Sequence, residues 1–156
     1  MQFTLLDRIT ELHEGESITA VRTLNPDEDY LEDHFPCFPV MPGVLMLEAL
    51  YQASAWLVRK TEDFKHSLIM MKETRNVKYQ GFVEPNEQMV VTAKILKHDD
   101  QTTTLKCQGM VGDRPTVSGR LVLERRNFGD QNPEHKPIDD YACSQFRKFF
   151  KKLTES

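Results

Sequence analysis

Residues 34–52 read HFPCFPVMPGVLMLEALYQ and hold side chains that can move protons. His34 stands beside a Pro-rich stretch, with Pro36, Pro39 and Pro42 within ten residues, a density that excludes a helix interior or a central strand. Pro42-Gly43 then opens an apolar run. Glu48 falls about a turn and a half into it, and Gln52 follows four residues later on the same helical face. A lone loop histidine is usually structural or solvent-facing, and Pro-Gly usually marks an ordinary helix start. Glu48 is harder to dismiss, because burying an unpaired carboxylate is costly. Either it hydrogen-bonds Gln52 or a backbone group, or it is a desolvated carboxyl poised as a general acid. The first N–H groups of a helix are unpaired and sit at the positive end of its dipole, and glycine there lets a ligand approach the backbone. An oxygen gaining negative charge at Gly43 would find an oxyanion hole.

A base, an oxyanion donor and an acid together describe one reaction class. His34 would take the proton α to a thioester carbonyl, the Gly43 N–H would hold the enolate-like charge, and Glu48 would protonate a departing β-hydroxyl. That is β-elimination of water from a 3-hydroxyacyl thioester. It calls for no metal and no redox cofactor.

These residues need elements to position them. The run 43–60, GVLMLEALYQASAWLVRK, is apolar on nearly every face, which predicts the longest helix of the chain, about 25 Å long and buried on all sides. Residues 9–24 alternate around a Gly15 turn and predict a strand pair. Asn25-Pro26 predicts a short helical turn before residue 33. Residues 67–71 and 77–83 read as two short strands, and 88–96, 102–111 and 116–124 as three more, with His98-Asp99-Asp100 and Gly112-Asp113-Arg114-Pro115 as hairpin separators. The predicted class is α+β, a mostly antiparallel sheet of five to six strands curled round one central helix. After residue 126 the composition changes. Residues 127–140 read as a linker, and 141–153 as a short basic amphipathic helix, giving a main domain over 1–126 and an appendage over 127–156.

The 156 residues, 39% hydrophobic with nine Phe, suit one domain and argue against disorder throughout. A net charge of −4 makes nucleic acid a poor default partner. Cys37, Cys107 and Cys143 are too few for a disulfide scaffold and lack zinc-ligand spacing. The first residues lack the pattern of a signal peptide, and the weakly polar run 44–58 is too short to span a membrane. A cytoplasmic protein without stable membrane insertion is expected.

The 19-residue segment resembles the signature of the 3-hydroxyacyl-acyl-carrier-protein dehydratases of bacterial type II fatty acid synthesis, H-F-P-G-x-P-x-x-P-G-V-L-x-x-E-A-x-x-Q. The similarity extends over about residues 5–125, with Asn76-Val77-Lys78-Tyr79 and Val83-Glu84-Pro85 resembling the strand and turn after the helix. It implies the hot-dog fold and reversible dehydration of (R)-3-hydroxyacyl-acyl-carrier-protein to the trans-2-enoyl form. It implies His34 as base, Glu48 as acid and Gly43 as the group polarising the thioester carbonyl, with Gln52 orienting Glu48 or the leaving water. The substrate would come on acyl carrier protein, to a homodimer whose two sites each join His34 of one protomer to Glu48 of the other. Such dimers commonly assemble as trimers of dimers. Related enzymes that also isomerise the double bond carry Asp at the acid position, so Glu48 points to a plain dehydratase. Cys37 departs from the family, standing where its pattern has glycine. If that glycine serves a positive φ angle, Cys37 is strained, and if it serves space, the Cys37 side chain narrows the pocket and changes the substrate range; of a reactive thiol and a small buried hydrophobe, the hydrophobe is the favoured reading.

Phe38, Val44 and Met70 are further candidate substrate-lining residues, Met70 and Met71 being either tunnel lining or plain core. Trp56 reads as core. The basic tail has three readings: packing its Phe residues on a protomer, recruiting the acidic carrier through Arg147, Lys148, Lys151 and Lys152, or touching an anionic membrane. Arg59, Lys60 and Lys72 are alternative carrier-docking groups. Two other functions compete: a dehydratase of a specialised lipid or polyketide-like pathway or of coenzyme A thioesters, and a non-catalytic hot-dog subunit of a mixed oligomer. Retention of His34, Gly43 and Glu48 together speaks against the last.

Overall fold

A computed structural model describes residues 4–33 and 37–155. The chain order is β1 (Arg8–His13), β2 (Ser17–Thr23), α1 (Tyr30–Asp33), α2 (Gly43–Thr61), β3 (Leu68–Tyr79), β4 (Gln88–His98), β5 (Thr102–Val111), β6 (Arg114–Arg126) and α3 (Lys136–Glu155). Six strands form one sheet in the order β1-β2-β4-β5-β6-β3, every neighbouring pair antiparallel. The sheet curls round α2, which touches β2 through β6, in the hot-dog arrangement. Leu50 and Leu57 of the helix are fully buried against Met89, Leu105, Leu121 and Leu123 of the sheet. Ser54 on the same helix satisfies its hydroxyl on the Leu50 carbonyl at 2.8 Å and meets the Cys107 sulfur at 3.2 Å. Burial pushes the Cys107 thiol up to about 11, so it packs as a neutral group.

Turn chemistry sets the ends. Gly15 takes φ +75° in the β1–β2 turn, a conformation that favours glycine, and donates its N–H to Thr61 Oγ1 at 2.9 Å, docking the hairpin tip on the end of α2. Beyond α2, Asp63 and Phe64 both adopt left-handed backbone, and the Phe64 N–H closes on the Arg59 carbonyl at 2.7 Å. Phe64 is buried, and this packing holds the turn.

Four expectations are corrected. The two short strands predicted over 67–71 and 77–83 are one twelve-residue edge strand, β3, which ends at Tyr79 and carries bulges between Met71 and Glu73 and between Arg75 and Lys78. Helix α2 is not buried on all sides: residues 53–59 are, but Val44 is 69% exposed and Gly43, Leu45, Leu47 and Glu48 are half-buried. Nor is it the longest helix, since α3 has 20 residues against 19. The stretch read as linker carries two short 3₁₀ turns, Phe128–Asp130 and Pro133–His135, and the first turn of α3.

That stretch is ordered because Asp139 is buried at a junction. Its carboxylate accepts the Ser67 hydroxyl, the Phe128 N–H at 2.7 Å and the Gly129 N–H at 2.8 Å. From there α3 lays Phe146, Phe149 and Phe150 around Trp56, with ring centroids 6.0, 5.7 and 6.0 Å away. Arg147 binds the Asp63 carboxylate at 2.9 Å and its carbonyl at 2.7 Å. Of the three readings of the tail, packing on its own protomer is the one observed.

Burial alone would raise the Asp139 carboxyl, but the hydrogen bonds from Ser67, Gly129 and Phe128 outweigh it and hold it below the ordinary carboxylate range. A group depressed in the folded state stabilises above its unfolded value, and that stabilisation is lost as pH falls through its folded value. Asp139→Asn is therefore expected to lower the unfolding midpoint at neutral pH, with the gap to wild type closing on acidification. Trp56 is the single tryptophan, so its emission during urea unfolding at stepped pH reads the transition. A gap that stays constant into the acid range would remove the ionic role.

Candidate active site

Pro42 caps α2 with extended backbone (φ −55°, ψ 140°), and its carbonyl accepts the Leu45 and Met46 N–H groups. The Gly43 and Val44 N–H groups precede this ladder and have no backbone acceptor among the described residues. The preceding loop is tied down by the Met41 N–H, which donates to the Val83 carbonyl at 2.9 Å. Tyr79, at the end of β3, lays its ring against Gly43. A Cβ at residue 43 would come within 3.0 Å of Tyr79 Cε1, so glycine is what permits this approach. Gly81 is more tightly constrained, since a Cβ there would lie 2.9 Å from a backbone atom, the Pro115 carbonyl oxygen. A cavity of about 400 Å³ opens beside Gly43, walled by Val40, Met46, Tyr79 and Phe82.

Glu48 faces another cavity. One of its oxygens accepts from Gln52 Nε2 at 3.2 Å, and Gln52 Oε1 in turn accepts the Leu5 N–H at 2.8 Å. The backbone bond fixes which end of the amide points at Glu48. This arrangement meets the plain structural reading of Glu48 as well as the catalytic one. The cavity, about 430 Å³, is lined along α2 by Glu48, Tyr51, Gln52, Trp56 and Arg59, and closed by Phe146 and Phe149 of α3.

Within one chain, then, Gly43 and Glu48 do not converge. Five residues apart on a helix, they point about 140° away from each other. Phe38, 46% exposed, stacks edge-on against Phe82 at 5.3 Å and so joins the rim on the Gly43 side, where Val44 projects outward. Met70 is exposed and lines a third, polar cavity with His66, Arg125 and Asn127. His34 lies outside the described residues. Cys37 is exposed, so its reading as a small buried hydrophobe is corrected.

Sequence reasoning missed Tyr79 and Phe82 on one side and Tyr51, Phe146 and Phe149 on the other. It also assigned Arg59 to the surface as a carrier-docking group, whereas it is only 8% exposed. The signal was available in the spacing 48, 51, 52, 55, 56, 59, which runs as one stripe along a helix. Burial lowers the Arg59 pKa, offset in part by the adjacent Tyr51 hydroxyl, and burial likewise raises that of Tyr51. Among the described residues no group of three or more His, Cys, Asp or Glu could hold a metal ion, and no helix is long and apolar enough to cross a membrane.

Comparison with known proteins adds an independent line. A sequence model described as a FabA-like domain matches residues 1–120. The 3-hydroxyacyl-[acyl-carrier-protein] dehydratase FabZ of Lactiplantibacillus plantarum is 36% identical over 118 residues, 76% of this chain and 80% of that one. FabZ of Lawsonia intracellularis is 32% identical over 128 residues, 80% of this chain and 84% of that one. Among solved structures, the dehydratase heterocomplex ApeI:P from Xenorhabdus doucetiae superposes with a TM-score of 0.66 at 19% identity, covering 83% of this chain and 87% of that one. A mutant thioesterase from Pseudomonas aeruginosa gives 0.59 at 15% identity, covering 75% and 78%. At those identities the structures share the fold, while the sequence matches carry kinship: the chain belongs to the FabA-like family of dehydratases.

Proposed function

We propose that the protein catalyses reversible dehydration of (R)-3-hydroxyacyl-acyl-carrier-protein to trans-2-enoyl-acyl-carrier-protein in fatty acid synthesis. The observation that carries this reading is Glu48, held by Gln52 on the wall of an otherwise largely apolar cavity, on a chain whose relatives bear that dehydratase's name. In the forward direction His34 takes the proton from the α-carbon, and the C–H electron pair passes into the forming α,β double bond. The Gly43 N–H at the start of α2 holds the charge that builds on the thioester oxygen. Glu48 gives its proton to the β-oxygen as the C–O bond breaks, and water leaves. The carboxylate and imidazolium left behind reset by proton exchange with solvent.

The separation of Gly43 from Glu48 supports a homodimer in which each site takes His34 and Gly43 from one protomer and Glu48 from the other. The apolar rim of Phe38, Val44, Tyr79 and Phe82, exposed in one chain, is the surface a partner would cover, and trimers of such dimers are compatible with it. Residues 1–126 form the catalytic unit and 127–156 its accessory wall. Three free thiols fit a reducing, cytoplasmic compartment. A specialised pathway or coenzyme A thioesters remain the second reading, supported by Cys37, exposed in a segment where the family pattern has glycine.

Hydration of a short trans-2-enoyl-carrier-protein, followed by loss of enoyl absorbance and gain of one water in mass, tests the reaction. Wild type is expected to turn over, and Glu48→Gln to fold normally but lose on the order of 100-fold or more in rate. Near wild-type rates in Glu48→Gln would remove Glu48 from the chemistry, and an inert wild type would leave the non-catalytic subunit.

Mixing tests the shared site. Inactive His34→Ala and Glu48→Gln proteins, unfolded together and refolded at equal amounts, are expected to regain about a quarter of wild-type activity, since half the dimers are mixed and each keeps one intact site of two. No recovery would place both residues in the same chain's site.

A further inference from the structure

The cavity that holds Glu48 ends on a cation, Arg59, that makes no ion pair with an acidic side chain among the described residues, its polar neighbours being the Tyr51 hydroxyl and, further off, the charge of Glu62. Arg59 lies three turns further along α2, roughly 16 Å away along the helix axis. It is 92% buried, the complement of its 8% exposure, and its guanidinium is packed against Trp56 and Phe146, 5.2 and 4.1 Å from their ring centroids. Its Nε has no hydrogen-bond partner, and no acidic side chain makes an ion pair with it among the described residues. The neighbouring Tyr51 hydroxyl gives its own hydrogen to the Ile69 carbonyl. A buried charge left without an anion is costly, and aromatic faces return only part of that cost. The cavity of about 430 Å³ that Arg59 lines carries Glu48 and Gln52 at one end, is walled by Ala55, Trp56, Phe146 and Phe149 with Gln145 beside them, and is closed by α3, beyond the stretch matched by the family model. An extended chain whose reacting carbon stands at Glu48 would run down this stripe and bring its far end to the guanidinium.

We propose that this cavity is the distal acyl pocket and that Arg59 receives a carboxylate at the far end of the acyl chain, so that the preferred substrates are 3-hydroxyacyl thioesters with an acidic terminus. The proposal rests on the dehydratase reading for its chemistry but not for its binding. A charge-assisted bond to a carboxylate is among the stronger hydrogen bonds, and an acyl chain ending in methyl leaves the cation unpaired. The aromatic walls accept the methylenes of either chain.

The test compares the pantetheine thioesters of dodecanoic and dodecanedioic acid, which are saturated, bind without turnover and are long enough to reach Arg59 when C3 stands at Glu48. Trp56 lines the cavity and is the only tryptophan, so its emission reports occupancy. Wild type is expected to bind the dodecanedioyl thioester about tenfold more tightly than the dodecanoyl one, and Arg59→Gln, which keeps a donor but not the charge, to reduce that ratio to about twofold or less. Equal binding by wild type overturns the proposal without recourse to any variant, and so does an unchanged ratio in folded Arg59→Gln. The matching trans-2-enoyl thioesters on carrier protein are then assayed for hydration. Absence of turnover on both, with the binding preference intact, removes the dehydratase reading and leaves the distal carboxylate site standing.

Discussion

An α-helix apolar round most of its circumference must be covered by the rest of its own chain or by something else. Here the sheet on one side and α3 on the other bury residues 53–59 of α2, while the first two turns are only partly enclosed. The groups proposed to do the chemistry on α2, Gly43 and Glu48, lie in the thinly covered turns. The amides of Gly43 and Val44 have no backbone acceptor among the described residues, and Glu48 and Gln52 face a hollow that the sheet does not fill. A helix packed equally along its length would have no room for substrate, and one exposed along its length would not be held. The division of α2 into a buried anchor and an open working half follows from where the curled sheet stops.

The second cover is α3. It adds no strand, yet it shapes the Glu48 side by placing Phe146 and Phe149 over Trp56. It is held by two polar locks, Asp139 on Ser67 in its first turn and Arg147 on Asp63 further along. Arg147 lies among the aromatic residues Phe146, Phe149 and Phe150 that pack on Trp56 and Phe64. An element outside the family match thus shares a wall with residues inside it, and in this protein the two cannot vary independently.

Much of this was legible in the residues. The all-apolar run located α2 within a residue or two, Gly15 marked the first hairpin, and the proton-moving residues stood out by type. What was lost had physical causes. Strand β3 is an edge strand whose middle, Lys72 to Asn76, is polar and exposed on both faces, so no alternation survives to join its two ends. Residues 127–140 look like linker because Pro, Asn and Asp dominate. Yet Pro137 sits in the first turn of α3, where its missing N–H costs nothing, and the partners that order Asp139 include Ser67, 72 positions away in the chain. Arg59 looks like a surface residue by type, and only packing by a helix remote in sequence makes it a buried cation.

The outer edge of β3 carries a consequence of a different kind. Twelve residues of unpaired backbone are a template for indiscriminate strand addition, and a newly made chain meets many other strands before it meets its own kind. The two bulges and the left-handed Asn76 break the flat repeat, and Lys72, Glu73, Arg75 and Lys78 set charges along it, three of the four positive. A random strand laid there would find its ladder out of step and its charges unmatched. The irregularities that hid this strand in the sequence therefore act as quality control, keeping an open edge from seeding aggregates while the protein folds.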